Sequence, residues 1–71
     1  MKIDKTYKVE KIRLTFETSE RKDIKLEEND TIIISDCSVY LLREEKYIKI
    51  NINSSFIVEN DRLFTEVKNG I

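Results

Sequence analysis

A chain of 71 residues has room for one packed unit and is too short for two separate cores, and surface scaling leaves so small a unit burying roughly 60% of its unfolded area, so its core is thin. With 13 basic against 14 acidic side chains the formal net charge is -1, which removes any overall pull towards nucleic acid or anionic lipid and any acidic excess of the kind a nucleic-acid mimic needs. Hydrophobic residues at 39% beside 38% charged residues of both signs, many of the apolar ones β-branched, exclude a disordered chain.

The amino-terminal "MKIDKTYKVEK" holds no apolar run of the length an export signal requires, and no run approaches the roughly 20 residues of a membrane span, so we expect a cytoplasmic protein. Residues 7 to 17, "YKVEKIRLTFE", alternate with Tyr7 and Val9 on one parity and Ile12, Leu14 and Phe16 on the other. The phase slips at Glu10 and Lys11, where a β-bulge would restore one continuous inward face. After the polar turn "ETSERKD", Ile24 and Leu26 mark a short second strand, and "EEND" then turns the chain into "TIIIS". Three successive isoleucines predict a central strand covered on both faces or one passing through a barrel wall.

"SDCS" interrupts that strand, and "VYLL" and "YIKINI" flank "REEK", a polar connection of hairpin length. In the second arm Ile48, Ile50 and Ile52 share one side, while Tyr47, Lys49 and Asn51 share the other. "FIVENDRLFTEV" predicts a hairpin turning at Asn60 and Asp61, two residues that tolerate turn conformations, and the tail "KNGI" is expected to fray. Residues 38–46 and 55–67 also carry helical readings, the first capped by Asp36 or Ser38 and the second with Phe56, Leu63 and Val67 near one stripe; strand is the reading taken for both. The fold expected is all-β: a small single-domain antiparallel meander over residues 1–71, forming a partly open barrel or a two-sheet roll of five to seven short strands.

The chemistry is defined mainly by missing residue types. The chain has no His, removing the usual general base and the commonest metal ligand, and its only Gly, Gly70, cannot form a phosphate-binding loop. Cys37 has no second cysteine to pair with, which fits a reducing compartment, and the adjacent Asp36 disfavours a thiolate nucleophile. Given the burial preference of free cysteine, a structural or incidental role is expected for Cys37. Carboxylates cluster at Glu27, Glu28 and Asp30, at Glu44 and Glu45, and at Glu59 and Asp61, without calcium-loop spacing or zinc-type companions, and read as solvated turns. No cofactor or metal is expected, and no catalytic residue is assigned. Asn29-Asp30-Thr31 and Asn53-Ser54-Ser55 match the glycosylation sequon by chance in an unexported chain.

What remains is surface recognition. The function expected is a non-enzymatic protein-binding module that docks a sheet face or an edge strand on a larger protein, alone or as a homodimer, with Tyr40, Tyr47, Lys49 and Asn51 as contact residues. Tyr40 is the one of the four that also reads as core. The absence of Ala, Gln, Pro, His and Trp, beside abundant Ile, Lys, Asn and Glu, matches AT-rich coding, as in a low-GC bacterium or its phages and mobile elements, and so an inhibitor that occludes a host protein such as a defence nuclease. The alternative is a small nucleic-acid-binding β-barrel using Tyr47, Lys49 and Asn51 with Arg43 and Lys46 nearby. The lysines at 2, 5, 8 and 11 add no stripe to it, because that spacing in a strand scatters them over both faces. An enzyme working with carboxylates alone and a structural subunit of a larger assembly are the remaining classes.

Overall fold

The computed structural model describes residues 2–10 and 14–67. Among these residues seven strands and one helix follow in order: β1 (Lys5–Val9), β2 (Leu14–Glu17), β3 (Asp23–Leu26), β4 (Thr31–Ser35), β5 (Ser38–Arg43), β6 (Lys46–Ile50), α1 (Ser54–Glu59) and β7 (Phe64–Glu66). Two tight turns set the frame of the larger sheet. Ser35 pairs with Ser38 across Asp36-Cys37, and Arg43 pairs with Lys46 across Glu44-Glu45. All four turn residues have positive φ, between 48° and 65°, the geometry of the two-residue hairpin turn whose twist matches the strands it joins. The meander β4-β5-β6 follows directly. β1 pairs antiparallel with β4, and β7 with β1, giving the order β6-β5-β4-β1-β7.

β2 and β3 form a separate hairpin, so the alternating run 7–17 is divided between two sheets instead of continuing through one strand. Lys11, Ile12 and Arg13, where the bulge and the inward Ile12 were expected, lie outside the described residues, as does the tail 68–71. The hairpin covers the inner face of the larger sheet: Leu26 is fully buried, and Leu14, Phe16 and Ile24 pack against the core formed by Tyr7, Val9, Ile32, Ile34, Val39, Leu41, Ile50, Ile57 and Phe64. Of the two architectures expected, this is the two-sheet roll. It is fastened at one corner, where an isolated bridge joins Thr18 to Ile50: the Ser19 N–H donates to the Lys49 carbonyl at 2.9 Å and the Asn51 N–H to the Glu17 carbonyl at 2.8 Å.

One arm of the last predicted hairpin is corrected. Ser54–Glu59 is a helix, although Phe56-Ile57-Val58 is strand-forming sequence. Local caps and packing override that propensity. The Asn53 side chain accepts the Ser55 N–H at 2.9 Å, and the Asn60 amide donates to the Phe56 carbonyl at 2.7 Å. The helix thereby buries Ile57 completely and sets Phe56 edge-on to both Phe16 and Phe64, with ring centroids 5.8 and 6.1 Å apart. The turn itself falls where expected, since the Asn60 carbonyl accepts from Leu63 and Phe64 at the start of β7. No helix among the described residues is long and apolar enough to cross a membrane.

Candidate functional surface

Alternation along each strand fixes which residues stand on the outer face of the five-stranded sheet. Two rows cross it in register: Thr6, Ile33, Tyr40 and Lys49 in one, and Thr65, Lys8, Thr31, Leu42 and Tyr47 in the other. Ile33 is only 2% exposed although it lies outside the core cluster, which accounts for the middle isoleucine of "TIIIS". Lys5 and Lys8 fall on opposite faces of β1, as the spacing predicts. The outer strand positions hold no carboxylate.

Tyr40 and Tyr47 are diagonal neighbours on the hairpin β5-β6 and meet edge to face, with centroids 6.4 Å apart and planes at 89°. Tyr40 is half-buried, and Tyr47 is 46% exposed. Such a pair adds about 1 kcal/mol beyond its area and presents a stiff aromatic edge. Lys49 stands opposite Tyr40 and is exposed. These three also line a groove of about 480 Å³, together with Ile48 and, from the β2-β3 hairpin, Thr18, Ser19, Glu20, Lys22, Asp23 and Ile24. Glu20 and Lys22 form an ion pair at 3.8 Å, too exposed to add much stability.

Asn51 does not join that cluster. It lies just past the end of β6, where its side-chain amide donates to the Thr18 carbonyl at 2.9 Å and to Glu17 Oε1 at 3.2 Å, and so clamps the corner between the two sheets. The hairpin wall of the groove was missed from sequence. Nothing in "ETSERKD" announces that Thr18 will bridge to Ile50, because a single bridge leaves no periodic signature.

The remaining reactive side chains are placed as follows. Cys37 is exposed, in the left-handed second position of its turn at φ 65°, so the general burial preference of cysteine does not hold at this position, where the tight turn carries the residue at its tip. Glu44 and Glu45 form the other turn. Asp30 is not merely solvated: its Oδ2 accepts the Glu27 N–H at 2.7 Å and bonds the Arg43 guanidinium, which also donates to the Lys25 carbonyl at 3.0 Å. The bond to Asp30 raises the proton affinity of Arg43 above its ordinary value. Arg43 therefore ties the end of β5 to β3, and is not available to a basic patch. Compared with protein-family models, curated proteins and solved structures, the chain matches none.

Proposed function

We propose that this protein is a non-catalytic recognition module that docks a larger protein on the open side of β5-β6, through Tyr40, Tyr47 and Lys49. The observation that carries the reading is the convergence of a stiff tyrosine pair and an exposed lysine at the rim of one groove, with Ile24 and Ile48 in its lining. Tyrosine gives a large contact area at small entropic cost, the property that enriches it at interfaces. The chain has no histidine and no glycine loop, which supports binding over turnover. A cytoplasmic inhibitor that occludes a host protein, of phage or mobile-element origin, is the form of this reading that suits the small size and AT-rich composition.

The test compares wild-type protein with the double variant Tyr47→Ala, Lys49→Ala as immobilised bait for native lysate. Circular dichroism should be unchanged, and a partner retained by the wild type should bind the variant at least about tenfold more weakly. Equal retention would remove Tyr47 and Lys49 from the interface. A second reading, nucleic-acid binding, is favoured by Lys8 and Lys49 on an outer face whose strand positions carry no carboxylate. It requires affinity for single- or double-stranded DNA or RNA that falls steeply with salt, and no binding at low salt would eliminate it.

A further inference from the structure

The outer edge of β6 is only partly used. Because Arg43 and Lys46 are the hydrogen-bonded pair next to a two-residue turn, the N–H and C=O groups of Tyr47 and Lys49 point away from β5. The Lys49 carbonyl is taken by Ser19. Beyond that bond the β2-β3 hairpin diverges, and among the described residues the Tyr47 N–H, the Tyr47 carbonyl and the Lys49 N–H have no backbone partner. These three groups lie beside the groove lined by Tyr47, Ile48, Lys49 and the hairpin residues Ser19 and Ile24. A donor, an acceptor and a donor spaced along an open edge are complementary to the main chain of an extended peptide.

The two sides of the edge select what that peptide carries. A strand added here would alternate its side chains between the inner parity, where Ile48 stands and Ile24 lines the groove, and the outer parity, where Tyr47 and Lys49 stand. Glu20 and Lys22 neutralise one another, leaving Asp23 on the hairpin wall and Lys49 on the sheet. Lys49 has no ion pair among the described residues, and no outer strand position offers it a carboxylate. A second copy offers Lys49 no counter-charge: full-overlap antiparallel pairing of "KYIKI" with itself sets Tyr47 opposite Lys49 and Ile48 opposite Ile48, and the strand carries no carboxylate.

We infer that the free edge of β6 takes an extended segment of the partner polypeptide as an added strand, with apolar residues towards Ile24 and Ile48 alternating with acidic residues beside Lys49. This deepens the docking reading and rests on it. The probe is a short synthetic peptide alternating valine with glutamate, compared with its valine-lysine counterpart and with an acidic version N-methylated at alternate residues, each titrated into the isotope-labelled protein. The acidic peptide should slow hydrogen exchange of the Tyr47 and Lys49 amides roughly tenfold or more and shift the Ser19 and Ile24 resonances, with the other two leaving them unchanged. Unprotected Tyr47 and Lys49 amides with the acidic peptide, or equal effects from the N-methylated or basic peptide, would overturn the inference. In that event retained sensitivity of the natural partner to the double alanine variant would leave face docking standing, whereas its loss would bring down both.

Discussion

Among the described residues six non-glycine positions have positive φ: Arg21, Asn29, Asp36, Cys37, Glu44 and Glu45. Asparagine and aspartate tolerate that region; a glutamate or a cysteine gains nothing there, and left-handed backbone costs an ordinary L-residue about 1 kcal/mol or more. The glycine-poor composition thus has a structural cost, concentrated in two hairpin turns. Replacing Glu44-Glu45 by Asn-Gly, the pair best suited to this turn, should raise stability by about 1 kcal/mol and the melting temperature by about 5 °C. Thermal unfolding followed by circular dichroism checks it, and an unchanged midpoint would mean that the two glutamates bear no strain. "REEK" and "SDCS" were readable as connections, but not as two-residue turns, because neither contains the Gly or Asn-Gly signal that marks them.

At the scale of elements, Asp30 and Arg43 hold the edge of β3 against the end of β5. Sequence alone makes Asp30 one acid of a polar turn, since its partner is distant in the chain and only the strand order brings them together. Their side chains are 14% and 31% exposed, so removing the acid leaves a half-buried guanidinium without its counter-charge and the Glu27 N–H without its acceptor. Asp30→Ala should cost about 2 kcal/mol in urea unfolding. The folded state holds the Arg43 proton more tightly than the unfolded chain, so Arg43's contribution is complete below its unfolded value and lost only as pH climbs through the still higher folded one. The penalty should therefore be level across the neutral range, and a penalty that shrank on mild alkalinisation would contradict this account. The strand periods themselves were legible, because burial of one face imposes a two-residue repeat. The helix was legible only as the second reading of residues 55–67, because Phe56-Ile57-Val58 has strand propensity and is turned into a helix by Asn53, Asn60 and the packing of Ile57 in the core.

Across the whole molecule, a thin core makes each buried side chain count. Ile57 and Val58 are adjacent on α1, yet the first is completely buried in the cluster and the second is 47% exposed. Ile57→Ala should cost about 3 kcal/mol while Val58→Ala stays within about 0.5 kcal/mol, a contrast that urea titration of the two variants reads directly. Three aromatic rings, Phe16, Phe56 and Phe64, link the hairpin, the helix and the final strand, so the pieces hold together through the carboxyl-terminal third of the chain. Of the candidate surface, the outward side of Tyr47 and Lys49 was visible in the alternation of "YIKINI". The groove and the open edge were not, because both arise where β2 leaves β6, a long-range event.

The neighbours β1 and β7 lie at opposite ends of the described chain, and the Val67 N–H reaches the Thr6 carbonyl at 2.8 Å. During synthesis the earliest strand must wait for the latest, with almost everything else spooled out between them. The sheet is unfinished until both are available, so the pace of folding is set by how quickly two remote stretches find each other.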